Sequence, residues 1–247
     1  MAIHKIIDHT QSAFLEGRGL LDSVLVASET IDEVRRKKKS YVIVKVDYEK
    51  AYDSIRWDFL FYMMKRLGFC AKWILWIREC LESSTILVLV NGNPTQEFCP
   101  SKGLRQGDPL ALFLFLIVAE GLTCLVRVAA KKKLLEGIKV GEKNIEVNML
   151  QFADDTLFLS EAKTQNILVI KSILRCFELV VGLKVNFIKS KIGGVGVTEY
   201  YLQRFSNMLN CDTMQLLFSY LGMPIGGNPR KHYMWKVVEK IRKKLAK

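Results

Sequence analysis

The chain has 247 residues, half of them hydrophobic, and 37 Lys and Arg against 25 Asp and Glu give it a formal charge of +12. This composition excludes a disordered tail, provides for a sizeable core in one large domain or two intimate ones, and directs attention to a polyanionic partner such as nucleic acid. Six scattered cysteines (Cys70, Cys80, Cys99, Cys124, Cys176 and Cys211) form no C-x-x-C pair and have no nearby histidines to complete a zinc site, so they read as reduced thiols of an intracellular protein.

The opening "MAIHKIIDHT" lacks the charged-then-apolar pattern of a secretory signal. "LLDSVLVASETIDEVRRKKK" has helical apolar spacing through Leu25, Ile31 and Val34 and ends in the basic run Arg35 to Lys39. The β-branched run "YVIVKVD" is apolar on both faces except at Lys45, which predicts a buried central strand with Asp47 at its end. Two helical stretches follow, "SIRWDFLFYMMKRLGF" and "KWILWIRECLES", and then "TILVLVNGNPTQEF" reads as strand, turn and strand. Asp108 and Pro109 open a long apolar helix, as N-cap and first helical residue. Its run "PLALFLFLIVAEGLTCLV", broken at Glu120 and Gly121, falls short of the ~20 residues of a bilayer span and predicts a core helix. A strand, turn and strand around Asp154 come next, then the helix "TQNILVIKSILRCFELVVG", a loop with "NFIKSK" and a final basic helix. The order predicts an α+β fold, a mainly antiparallel sheet with helices on one face, which brings strand ends from distant parts of the chain together.

"VNMLQFADDTLFLS" sets the adjacent carboxylates Asp154 and Asp155 between two apolar runs. A plain hairpin turn would account for a short polar pair. Yet the commonest two-residue turns want glycine at a positive φ, which "ADDT" lacks, and two like charges side by side repel unless a cation or a basic partner sits between them. Asp47, at another strand end, offers a third carboxylate. Two divalent ions about 3.5 to 4 Å apart can run phosphoryl transfer between nucleotides. Mg²⁺ wants hard oxygen ligands, often only one or two carboxylates plus substrate phosphates, and Asp47, Asp154 and Asp155 would suffice.

"VDYEKAYDSIRWDFL", "GLRQGDPLALFLF", "FADDTLFLS", "GLKVNFIKSK" and "YLGMPIG" stand in the order of reverse transcriptase motifs A to E, and "QSAFLEGRGLLDSVLVASE" resembles the finger motif that precedes them. The chain thus resembles, from about Gln11 onward, the polymerase of a non-LTR retrotransposon of the LINE type abundant in plant genomes. The resemblance implies a right-hand polymerase: partial fingers over 1–40, a palm with interleaved fingers elements over 41–228, and the start of a thumb over 229–247. It implies RNA-directed DNA synthesis with two Mg²⁺ ions, for which Mn²⁺ can substitute. The implied partners are an RNA template, a DNA primer and deoxynucleoside triphosphates, with no membrane and a nuclear or cytoplasmic location.

Position by position, the resemblance makes Asp47 and Asp154 the principal metal ligands, with Asp155 beside them. Tyr52 matches the bulky residue that excludes a nucleotide's 2′-hydroxyl. Gln106 and Gly107 match the motif B turn at the template–nucleotide pair, where glycine permits close backbone approach. Phe152 would pack beside the primer end. Lys189 is the candidate proton donor to departing pyrophosphate, with Lys184 and Lys191 as competitors. Tyr220, Leu221 and Gly222 match the element that grips the primer. Ala111 and Leu112 depart from the Ser-Pro that usually follows "RQGDPL", which is expected to alter the start of the motif B helix. No upstream finger segment, endonuclease, RNase H or Cys/His knuckle is recognisable. The competing expectation is therefore a degenerate retroelement fragment that binds nucleic acid without polymerising. A palm-fold phosphotransferase such as a nucleotide cyclase would not need motifs B, D and E.

Overall fold

The computed structural model describes residues 3–37 and 39–227. The "YVIVKV" run forms β1 (Tyr41–Val46), whose residues are buried except the half-buried Lys45. It lies at the centre of a five-stranded sheet because both of its edges are paired. One edge pairs antiparallel with β7 (Asp155–Glu161), itself hairpinned to β6 (Met149–Phe152). The other pairs antiparallel with β8 (Lys191–Val195), which adds a short parallel contact to β9 (Asp212–Thr213), giving the order β6-β7-β1-β8-β9.

Strand alternation sends β1 side chains to two different cores. Val42, Val44 and Val46 point into the larger one. There they meet α2 (Trp57–Arg66), α4 (Pro109–Lys131), α5 (Thr164–Val181) and α6 (Glu199–Leu209), with α3 (Ala71–Glu82) joining through Ile77. Tyr41 and Ile43 point the other way. That face is covered by α1 (Leu20–Lys37), by β4 (Ile138–Val140) of the small β4–β5 hairpin (β5, Ile145–Val147), and by the hairpin of β10 (Phe218–Tyr220) and β11 (Met223–Ile225). The α+β palm layout is as expected, with one addition: α1 lies across the sheet from the other helices.

The long apolar helix begins as its sequence predicts. Asp108 is extended and its carboxylate accepts the Leu110 N–H at 2.8 Å, with Pro109 at the first helical position. Ala111 is buried and the helix starts normally despite the departure at Ala111 and Leu112. At 23 residues α4 is long and apolar enough to cross a bilayer, contrary to the expectation of a short run. Two thirds of its most apolar stretch is nevertheless buried within this chain, packed on α2 and α5. "TILVLVNGNPTQEF" forms the exposed hairpin of β2 (Leu89–Val90) and β3 (Asn93–Pro94), extended by paired hydrogen bonds between Ile86 and Phe98.

Sequence patterning does not anticipate α6, β8 or the β10–β11 hairpin as separate elements. In α6, "EYYLQRFSNML", only Phe205, Ser206 and Leu209 are buried, a stripe too narrow to stand out. β8 is "KIGGV", with two glycines that depress strand propensity. The expected basic helix and thumb start, with the basic run from Arg230 to Lys247, lie outside the described residues.

Candidate active site

Asp47 follows β1 directly and Asp155 opens β7. The register that pairs Val46 with Thr156 continues to set Asp47 opposite Asp155, and alternation puts both on the face of Lys45. Asp154 occupies the turn between β6 and β7. The Asp155 carboxyl is pushed above the usual carboxylate range, chiefly by burial; the Lys45 ammonium pulls it down, and the charges of Asp154 and Asp47 push it up again. The sequence-predicted carboxylates therefore share one electrostatic neighbourhood. Among the described residues, no three His, Cys, Asp or Glu side chains converge tightly enough to enclose an ion by themselves.

Each carboxylate sits on backbone that other segments tie down. The Asp47 N–H donates to Ser190 Oγ at 3.1 Å, and its carbonyl accepts the Asn186 N–H at 2.8 Å. The Glu49 N–H reaches the Lys184 carbonyl at 2.8 Å, so the whole "KVNFIKS" loop is laced to the end of β1. On this loop Lys184 and Lys189 are exposed, as is Lys191 at the start of β8, and the fold singles out none of the three. In the β6–β7 turn Ala153 has φ 53°, a left-handed conformation that glycine normally supplies at the first position of such hairpins. The side chain of Gln11, 1% exposed, reaches this turn: its Oε1 accepts the Ala153 N–H at 2.9 Å and its Nε2 donates to the Ala153 carbonyl at 3.3 Å.

Tyr52 stacks on Phe115 with ring centroids 4.8 Å apart. Its hydroxyl is held above its usual range by burial first and by the Asp154 charge second, which places it beside the carboxylates. The Tyr52 carbonyl accepts the Leu104 N–H at 2.8 Å and the Ile55 carbonyl accepts the Gly103 N–H at 2.7 Å. These bonds anchor the loop that presents Gln106 and Gly107. Gln106 is exposed and lines a groove of about 830 Å³ that runs past Asp53 and Arg105 to the base of the β2–β3 hairpin. Gly107 has φ 90°, and a Cβ there would meet nothing within 4 Å, so within this chain glycine is required by the dihedral and not by crowding.

Phe152 is half-buried against Phe14, with centroids 6.3 Å apart. Tyr220 departs from its expected role. Its ring is fully buried beneath α1 beside Ser23, and burial, then the nearby Asp155 charge, raises its hydroxyl pKa. It supports the site from behind, because β-alternation at the end of β10 turns it inward. Leu221, with φ 52°, and the exposed Gly222, with φ 77°, form the hairpin tip. Lys45 Nζ donates to the Ser219 carbonyl at 3.1 Å and ties this hairpin to β1 beside Asp155. Sequence reasoning did not assign Lys45, Ser190 or the Gln11 side chain a part in the site. Only Lys45 carried a signal, as the single charge in an apolar strand.

A family profile described as "Reverse transcriptase (RNA-dependent DNA polymerase)" matches residues 1–225. The chain is 29% identical over 239 residues to a Retrovirus-related Pol polyprotein from type-1 retrotransposable element R2 of Popillia japonica, covering 89% of this chain and 33% of that protein. A type-2 R2DM polyprotein of Drosophila melanogaster is 27% identical over 179 residues, 72% of this chain and 16% of its own length. An uncharacterized mitochondrial protein of Arabidopsis thaliana is 45% identical over 71 residues, 29% of this chain and 58% of that protein. The chain thus spans a third or less of the two polyproteins. Among solved structures, apo telomerase from Candida tropicalis superposes with TM-score 0.58 at 14% identity over 77% of this chain and 37% of its own. Telomerase from Candida albicans, in complex with a TWJ fragment of telomeric RNA, does so at 0.56 and 14% identity, over 78% of this chain and 32% of its own. Both likenesses speak for the fold.

Proposed function

The chain belongs to the reverse transcriptase family, in its non-LTR retrotransposon type, and we propose that it copies an RNA template into DNA at the site built from Asp47, Asp154 and Asp155. A plant element is the source we propose, on the strength of the Arabidopsis match. The observation that carries the functional reading is the meeting of carboxylates from two distant chain segments at adjoining strand ends, each on backbone pinned by other parts of the fold.

The donor set fits divalent magnesium. All three side chains offer hard oxygens, and their mutual repulsion, felt at Asp155, is what a bound cation would relieve. The lack of a closed three-carboxylate cage suits an ion that takes one or two protein carboxylates and fills its shell with water and substrate phosphates. When bound, two such ions would lower the pKa of a primer 3′-hydroxyl and neutralise charge on the leaving pyrophosphate. Asp47 and Asp154 would hold the ions, and Asp155 would complete the negative field. The exposed lysines at 184, 189 and 191 border the same loop, where one of them supplies a proton to the leaving group. Tyr52, backed by Phe115, forms a wall where a ribose 2′-oxygen would clash. Leu221 and Gly222 present an open tip to the primer.

The test is primer extension on a homopolymer RNA template with Mg²⁺ or Mn²⁺. Asp47→Asn and Asp154→Asn should each abolish extension while the unfolding midpoint stays near that of the parent, because the change removes charge and preserves shape. Retained extension by either variant rejects the assignment. Tyr52→Val should raise ribonucleotide incorporation relative to deoxyribonucleotide; an unchanged ratio makes the ring core packing only.

A further inference from the structure

The carboxylate-bearing turn has a conformation that its own sequence disfavours. It is a two-residue hairpin loop, Ala153-Asp154, and its first residue is a left-handed alanine. Nothing within β6 or β7 supplies the glycine or asparagine that ordinarily tolerates this φ. The missing preference comes from a segment more than 140 residues upstream. Gln11 lies 1% exposed beside the turn, and its amide is used on both sides: Oε1 accepts the N–H groups of Ala153 (2.9 Å) and Ala13 (3.0 Å), while Nε2 donates to the Ala153 carbonyl (3.3 Å).

Backbone bonds hold Gln11 in register with β6. The Gln151 N–H donates to the Thr10 carbonyl at 2.8 Å, and the Ser12 N–H donates to the Gln151 carbonyl at 3.0 Å. The segment is itself pinned: the Arg18 guanidinium donates to the carbonyls of Ile7 and Gln11, and the Asp8 N–H donates to Glu120 of α4. Ala153 packs with Ile7, Ala13, Leu15 and Leu116 in a small core of its own.

We propose that Gln11 is a positioning residue that clamps Ala153 in its left-handed conformation and so fixes the direction in which Asp154 and Asp155 leave the hairpin. A primary amide is the side chain suited to this task, because it can accept from the peptide N–H and donate to the peptide C=O of one residue, as a paired strand would. The role rests on the polymerase reading only where rate is concerned; the clamp itself is a structural claim with its own readout.

The experiment uses the full chain with Gln11→Met, which keeps volume and removes every clamp bond, and Gln11→Glu, which keeps the acceptor and loses the donor. Residue-resolved amide hydrogen exchange is the first readout. Gln11→Met should speed exchange of the Ala153 amide by roughly tenfold or more while β1 and α4 keep their protection, and Gln11→Glu should leave that amide protected. Unchanged protection at Ala153 in Gln11→Met overturns the clamp. If Gln11→Met does not fold, Gln11→Glu decides, and a rapidly exchanging Ala153 amide in that folded variant overturns it equally. The second readout is single-turnover extension at saturating primer–template and nucleotide. Misplacing reacting groups by about 1 Å can cost on the order of 10²-fold, so Gln11→Met should lose about that factor with little change in primer–template Kd. Adding Ala153→Gly to Gln11→Met should recover about tenfold of the loss, because glycine adopts the left-handed turn unaided. Equal loss with and without Ala153→Gly means that Gln11 only fills space. If the wild-type chain extends nothing, the polymerase reading fails while the exchange result still decides the clamp.

Discussion

Among the described residues, three hairpins turn on two residues and start the turn with a non-glycine residue at positive φ; one is the exposed β2–β3 hairpin, at Asn91 and Gly92, and the two beside the carboxylates start at Ala153, φ 53°, and Leu221, φ 52°. These last two meet that demand in opposite ways. In the β10–β11 hairpin Gly222 follows at φ 77°, so both central residues are left-handed, as in a type I′ turn, and the glycine takes its share without strain. In the β6–β7 hairpin only Ala153 is left-handed, Asp154 follows, and the conformation is held from outside by Gln11. A turn that must expose bare backbone can carry its glycine. One that must present two adjacent carboxylates spends its positions on them and takes its geometry from the fold.

The largest effect is expected where the comparison is broken outright. Ala153→Val puts a β-branched residue at φ 53° and adds two methyls to a small core that leaves Ala153 only 7% exposed. The left-handed penalty and the overpacking together should cost about 2 to 4 kcal/mol in urea unfolding, with extension lost along with it. A cost below about 1 kcal/mol would mean that the turn changes conformation freely, and that the strain described here is not resisted by the fold.

Gly222→Ala probes the other hairpin and should do less. A Cβ at this position meets nothing within 4 Å, so only the dihedral is penalised, at about 1 to 2 kcal/mol in thermal or urea unfolding. The same substitution should leave Asp154 and Asp155 in place, and its effect on extension should fall on primer–template affinity. A rate defect at saturating primer–template would show that the two hairpins are mechanically coupled, with the Lys45 bond to the Ser219 carbonyl as the connection.

Much of this was legible in the sequence, and the reasons are local. β1 could be read because its β-branched run is buried on both faces, and α4 because Asp108 and Pro109 mark its start. The three carboxylates could be brought together on paper because the α+β pattern gathers strand ends, and both Asp47 and the Asp154–Asp155 pair stand at such ends. The remainder depended on distance along the chain. Gln11 is only the first residue of a finger-like motif, with no role of its own, until the fold lays it beside Ala153, and the serine at 190 gains meaning only when its hydroxyl accepts the Asp47 N–H. By sequence, Tyr220 belongs to a stretch that matches a primer-gripping element, which says nothing of how its ring is turned. Which way its ring points was decided by the pleat of a three-residue strand whose register only the structure supplies.

The smallest expected effect sharpens the comparison through what lies beneath the first hairpin. Glu120 of α4 is 3% exposed and holds the Gln11 segment by accepting the Asp8 N–H at 3.0 Å. Its carboxyl is raised above the usual glutamate range. Burial is the main cause and the Asp8 charge adds to it, against the pull of the Asp8 N–H, Arg127 and Arg18. A carboxyl that binds its proton more tightly in the folded chain than in the unfolded one stabilises the fold below the unfolded value. As pH rises from there to the raised folded value, the native state retains the proton that the unfolded state has lost, so stability falls across that window and levels off above it. Glu120→Gln keeps an acceptor for the Asp8 N–H and removes the ionisation. Unfolding midpoints measured from about pH 4 to 7 should therefore decline less steeply in this variant than in the parent. Ala153 amide exchange in the parent should quicken over the same pH window, beyond the intrinsic rate increase, because opening the Gln11 segment exposes Glu120 and lets it release the proton that the closed form retains. Gly222, with no such support beneath it, should show only the intrinsic increase. Identical pH slopes for the two proteins would mean that Glu120 binds its proton equally in the folded and unfolded chains, and that the support under the first hairpin is insensitive to that proton.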